Sequence, residues 1–103
     1  MAIVNQTLTG TQLDIITVPA GKTYAITNIL VCNNGSVDDT FDLHFIPSGQ
    51  SLSNARTRVI NNLTLPAAET FTFDTEKIVL DAGDIVSFVG GSNLAATVSY
   101  LEV

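Results

Sequence analysis

Tryptophan is absent from this chain of 103 residues, and cysteine and histidine occur once each. The lone Cys32 excludes an internal disulfide framework and a cysteine zinc cluster, and its place in the apolar run Ile29 to Cys32 reads as buried packing. The lone His44 leaves any serine or cysteine nucleophile with a single possible base. It also rules out the histidine cluster that a metal-dependent, cupin-like enzyme brings to its metal. Basic side chains are scarce too: Lys22, Arg56, Arg58 and Lys77 stand against ten acidic residues, for a net charge of −6. Binding driven by counterion release needs a basic footprint, so no nucleic-acid partner is expected. No uncharged apolar stretch approaches the eighteen or so residues of a membrane span. The start, Met1-Ala2-Ile3-Val4-Asn5-Gln6, lacks the basic region and apolar core of a secretion leader. Synthesis in a cytoplasm and no membrane partner are the expectations.

Charge of either sign is low. Asp, Glu, Lys and Arg make up 14% of the residues and 46% are hydrophobic, with a mean hydropathy of +0.36. This balance excludes the disordered class, which buries too little apolar surface to offset chain entropy. For 10.9 kDa, scaling gives roughly 5,600 Å² of folded surface against roughly 15,800 Å² extended, so about 65% is hidden on folding. One core is feasible without staples, and residues 1–103 are read as a single domain. Its surface must be made of Asn, Thr, Ser and Gln, or be covered by a partner.

What the chain does have is alternation. Phe41, Leu43 and Phe45 alternate with Asp42 and His44, and Phe71 and Phe73 with Thr70, Thr72 and Asp74, which is the period of half-buried strands. Breakers such as Asn33-Asn34-Gly35-Ser36, Pro47-Ser48-Gly49 and Gly90-Gly91-Ser92-Asn93 are spaced too closely for most helices. Strands are expected over 3–9, 13–18, 23–33, 40–46, 58–65, 70–80, 84–89 and 94–103. Eight strands at this length predict an all-β, antiparallel two-sheet sandwich, with a jelly roll ranked above an immunoglobulin-like arrangement. Val18-Pro19-Ala20-Gly21-Lys22-Thr23-Tyr24 is echoed by Leu65-Pro66-Ala67-Ala68-Glu69-Thr70-Phe71, and Leu80-Asp81-Ala82-Gly83-Asp84-Ile85 repeats the shape. Each is a bend that leads into a strand, the last passing between sheets.

Motifs of chemistry are wanting. No Gly-x-Ser-x-Gly elbow occurs, and His44 alternates away from the Phe41, Leu43, Phe45 face, which predicts a solvent-side histidine. The acidic pairs Asp38-Asp39 and Asp81/Asp84 lack the calcium-loop pattern and read as turn formers, while Gly90-Gly91 lacks the Lys and Ser/Thr of a phosphate loop. No enzyme activity, catalytic residue, cofactor or metal site is expected. Arg56 and Arg58, one residue apart and on one side if extended, are the candidate protein-interface residues, docking against carboxylates of a neighbour. They lie in the polar stretch Ser48 to Asn62, the expected longest excursion from the core and the first place to seek a specific surface.

The run Val18 to Asn33, the segment Leu65-Pro66-Ala67-Ala68-Glu69-Thr70-Phe71 and the ending Ala96-Thr97-Val98-Ser99-Tyr100-Leu101-Glu102-Val103 resemble small virion structural proteins of tailed bacteriophages, including those of cyanobacteria. The resemblance covers most of the chain. It implies a decoration (cement) protein on the outer capsid surface, stabilising the shell, with the major capsid protein and other virion proteins as partners. It also implies a homo-oligomer, with a trimer matching three-fold capsid positions. The other reading is a tail, neck or fibre-associated β-module for attachment or receptor and glycan binding. That module would want exposed aromatics for sugar stacking. The terminal segments, Ala2 to Thr9 and Tyr100 to Val103, are apolar enough to be ordered, on their own sheet or across a neighbour.

Overall fold

The computed structural model describes residues 2–73 and 78–103. Nine strands and no helix occur among them: β1 (Ala2–Thr7), β2 (Leu13–Thr17), β3 (Tyr24–Asn33), β4 (Asp39–Ile46), β5 (Arg58–Leu65), β6 (Thr70–Phe73), β7 (Ile78–Leu80), β8 (Ile85–Gly90) and β9 (Leu94–Glu102). The strand expected over 70–80 is thus two strands, β6 and β7, which both pair with β3. Asp74, one of its polar alternates, lies outside the described residues.

One sheet has the order β1-β9-β3-β6, with β7 also on β3, and the other has the order β2-β8-β4-β5. Every pairing is antiparallel. Early strands pair with late ones: β1 with β9, β2 with β8, β3 with β6 and β7, β4 with β5. With β6 and β7 counted as one line, this is an antiparallel ribbon wound into two packed sheets, a jelly roll, as the strand count predicts.

The repeated bends are the corners of that winding. Lys22 N–H donates to the Pro19 carbonyl at 3.2 Å, Glu69 N–H to Pro66 at 3.2 Å, and Asp84 N–H to Asp81 at 3.0 Å. The third residue of each is left-handed: Gly21 at φ 79°, Ala68 at 64° and Gly83 at 86°. These are the marks of a type II turn. Each corner carries the chain between sheets, from β2 to β3, β5 to β6 and β7 to β8. The two prolines open their turns without removing a ladder donor.

The core lies between the sheets. Leu43, Val86 and Phe88 of one meet Val31, Ala96 and Val98 of the other, and all six are fully buried. Phe41 stitches the two, its ring 5.7 Å from Phe71 and 6.2 Å from Phe88. Opposite Phe41 on β8 stands Gly90, where a Cβ would lie 2.8 Å from both Phe41 Cβ and Leu8 Cδ1. All seven aromatic residues belong to the core or pack against it.

Candidate interaction surfaces

His44 does alternate opposite to Phe41, Leu43 and Phe45, yet it is fully buried, which corrects the solvent-side expectation. Its cover is the β4–β5 connection. Thr57 presents its carbonyl to Phe45 N–H at 3.0 Å and its hydroxyl to His44 Nδ1 at 2.8 Å. Residues 58–62 belong to β5, so the expected excursion shortens to 47–57 and lies back on the sheet instead of leaving it. Ile46 and Ser87 share that outer face and are buried as well. Ile46 stands outside the main core cluster, as expected of a small satellite beneath a loop.

Thr57 Oγ1 lies 2.9 Å from the Ser53 carbonyl and accepts Ser53 N–H at 2.9 Å. Its single proton goes either to that carbonyl or to His44 Nδ1, and the tautomer of His44 follows from which it serves. In both cases His44 Nε2 is buried without a hydrogen-bond partner among the described residues. Burial holds the imidazole pKa below its ordinary value; the Asp42 carboxylate opposes this and the Arg58 guanidinium adds to it. As pH falls, the unfolded chain takes up this proton before the folded chain does. His44's contribution to stability is complete above about pH 6.5 and is lost progressively below it. Chemical denaturation at several pH values should therefore show stability declining below about pH 6.5. His44→Gln, which keeps a polar amide for Thr57, should flatten that decline; an equal slope in the variant would assign it to other groups.

The two candidate arginines are not side by side on a strand. Residues 54–57 form a turn and only Arg58 is in β5. Arg58 Nη1 sits 3.7 Å from Asp42 Oδ2, with both side chains largely covered. Arg56 is exposed. Arg58 is thus committed to its own sheet, and Arg56 alone presents its guanidinium outward. Cys32 is half-buried on the outer side of β3, not in the core, since its register partner Ala95 alternates with the buried Leu94 and Ala96. It lies on the opposite side of the sandwich from His44, so the two make no catalytic pair.

The aspartates hold turns together. Asp84 accepts Ser48 N–H at 2.8 Å through one oxygen and Asp81 N–H at 2.9 Å through the other. Asp38 accepts Ala67 N–H at 3.3 Å. An open cleft of about 360 Å³ runs past Asp39, Asp42, Asn62 and Gly91. Its carboxylates are occupied locally, Asp39 by Thr40 N–H at 2.9 Å and Asp42 by Asn62 N–H at 2.5 Å and by Arg58. Among the described residues no three metal-ligating side chains converge.

A different surface emerges from register. On β9 the buried Leu94, Ala96 and Val98 face inward, which turns Ala95, Thr97, Ser99 and Leu101 outward. Their partners are Cys32, Leu30, Asn28 and Ala25 on β3, and Ile3, Asn5 and Thr7 on β1. A bulge at Thr27 keeps this phase along all of β3, and Thr27 Oγ1 bonds Ser99 Oγ at 2.7 Å. Thr70, Thr72 and Val79 complete the face from β6 and β7. None of these residues is charged, although the chain carries −6. Ile3 and Val79 are more than half exposed there. Along the sequence Cys32 reads as packing, Thr70 and Thr72 as polar alternates and the terminal segments as ordered, and nothing there joins these positions into one surface. Their signal was the polar half of the alternation, Thr70-x-Thr72 and Thr97-x-Ser99, in which threonine and serine stand where a solvated strand would carry Lys or Glu.

No family model matches the chain, and no curated protein or solved structure is similar enough to count as a match.

Proposed function

We propose that this chain is a non-enzymatic structural protein of a tailed-phage virion, a decoration protein that binds the outer capsid surface and stabilises the shell. The observation that carries the reading is the uncharged outer face of the five-stranded sheet. A face that, among the described residues, carries no carboxylate and no cation, and is furnished with Thr, Ser, Asn, Ala, Ile, Val and Leu, is a surface suited to burial against protein. Interface centres are depleted in charge for the same reason, since an unpaired charge loses its water on docking. The inward packing of all seven aromatics disfavours the sugar-stacking alternative. In this reading the sheet face meets the major capsid protein where shell subunits join, while the 47–57 segment and Arg56 point away from it. A ligand that binds only the assembled shell shifts assembly toward completion, and many identical contacts on one particle add up to durable attachment.

The test uses particles that carry the protein. Thr72→Glu and Thr97→Glu each place a carboxylate on the face without touching the core. Either should weaken attachment at least ~100-fold, the consequence of burying an unpaired charge worth several kcal/mol, while the isolated domain melts near the wild-type temperature. Occupancy is read by cryo-electron microscopy. Full occupancy of the variants, or density only at the tail, would sink the decoration reading.

A further inference from the structure

Antiparallel sheets that end in solvent need protected edges, because a row of unpaired N–H and C=O groups is a template for another strand. This molecule has four such edges and guards three. β5 has two register shifts against β4, a left-handed Asn62 at φ 49° and the charged Arg58. β2 has a register shift after Asp14, itself a charge on the strand. The flank of β3 opposite β9 is divided between β6 and β7, of four and three residues. β1 has none of these devices: Ala2-Ile3-Val4-Asn5-Gln6-Thr7 pairs with β9 in unbroken register, with no proline, no charge and no bulge. All its residues except Val4 are exposed.

The outward groups of β1 can be assigned. Leu8 N–H donates to the Leu94 carbonyl at 2.9 Å, continuing the register Thr7↔Ala95. In an antiparallel ladder, pairs that exchange hydrogen bonds alternate with pairs that do not. Gln6, Val4 and Ala2 therefore turn their backbone groups toward β9, and Ile3, Asn5 and Thr7 turn theirs to the free edge. Those three residues are spaced symmetrically about Asn5.

We propose that β1 pairs with β1 of a second copy of this chain, antiparallel and two-fold, with Asn5 opposite Asn5 and Ile3 opposite Thr7. This register satisfies all six outward groups of each strand at once, giving six backbone hydrogen bonds, and it sets the two Asn5 amides side by side. Charge does not oppose a second copy at this place. Two chains of −6 repel, but β1 and the β9 residues behind it, Ala95 to Tyr100, carry no charge, so the contact keeps like charges apart. An isologous pair also closes on itself and does not propagate into a fibre. The pairing fuses two uncharged faces into one platform eight strands wide, about 38 Å across by usual strand spacing. It does not depend on the virion reading, because the measurement is made on the isolated chain in solution.

Native mass spectrometry and light scattering across a concentration series should find a dimer of twice 10.9 kDa. Asn5→Pro removes only an outward N–H, and Asn5→Lys opposes two ammonium groups across the axis. Both should raise the dimer dissociation constant at least tenfold with the fold retained by circular dichroism. In a Cys32→Ser background, Asn5→Cys should crosslink on oxidation, because residues facing each other in a bonded antiparallel pair lie about 5.5 Å apart, within disulfide reach. Ile3→Cys should not, its two copies lying about 14 Å apart along the strands. A monomer up to about 1 mM, a trimer, a dimer indifferent to both Asn5 variants, or crosslinking at 3 in place of 5 would each overturn the proposal.

Discussion

Replacing Thr57 with valine should destabilise the isolated domain by about 2–5 kcal/mol, although the two side chains have nearly the same shape. The hydroxyl meets three groups at once: it bonds His44 Nδ1, accepts Ser53 N–H and reaches the Ser53 carbonyl. Valine leaves His44 Nδ1 and Ser53 N–H without their partner in a place that water reaches poorly, while the Ser53 carbonyl keeps the Thr57 and Arg56 N–H groups at 2.9 and 3.2 Å; each buried polar group so stranded costs about 1–3 kcal/mol. His44 fares worst, because its other nitrogen already lacks a partner among the described residues. For a domain of this size the melting temperature should fall by roughly 10–30 °C. Thr57→Ser keeps the hydroxyl and should remain within about 1 kcal/mol of wild type. Hydrogen exchange offers a second readout, since the 47–57 segment should lose protection in the valine variant before the sheets do. If the valine and serine variants melt together, the hydroxyl is not what holds the segment down.

A comparable loss, about 3–5 kcal/mol, is expected for Phe41→Ala. Its ring is fully buried and reaches Phe71 of the opposite sheet and Phe88 of its own. Large-to-small changes cost most where neighbours cannot close the void. Here the cross-strand neighbour is Gly90, which has no side chain to move in. Urea titration should show a lower midpoint with an unchanged slope, the sign that stability fell while the unfolded chain stayed the same. Phe41→Leu, which leaves most of the volume filled, should lose less than half as much. Equal losses for the two would mean the site collapses freely.

Much of the fold was legible because it depends on local chemistry. Period-two alternation at Phe41 to Phe45 and at Phe71 to Phe73 gave the strands and their inner faces, and Pro-Ala-Gly, Pro-Ala-Ala and Asp-Ala-Gly marked the corners where the chain changes sheet. What stayed hidden depends on distant segments. His44 points where its alternation says, but its burial is decided by Thr57 and Ser53 folding back over the sheet. Cys32 sits in an apolar run whose two faces cannot be told apart until the bulge at Thr27 sets the phase of β3. The uncharged face is invisible along the chain because it gathers side chains from five strands. Only pairing shows that residues near 3, 28, 72 and 97 share one surface from which charge is missing. The arginines illustrate the reverse: prominent in the sequence, they divide in space, one held by Asp42 and the other exposed.

The place of β9 in its sheet has a kinetic consequence. It lies between β1 and β3, so the middle of the five-stranded sheet is supplied by the ninth strand in the chain, and its pairing with β1 joins residues as far apart as Ala2 and Tyr100. Closing a loop of that length costs entropy before any contact repays it, which puts such topologies among the slow folders, in the millisecond to second range. Until β9 arrives, β1 has no partner strand and β3 lacks its principal one. Assembly of this sheet therefore waits for β9, and β1, placed only when β9 pairs with it, keeps its outer edge open to pairing from then on.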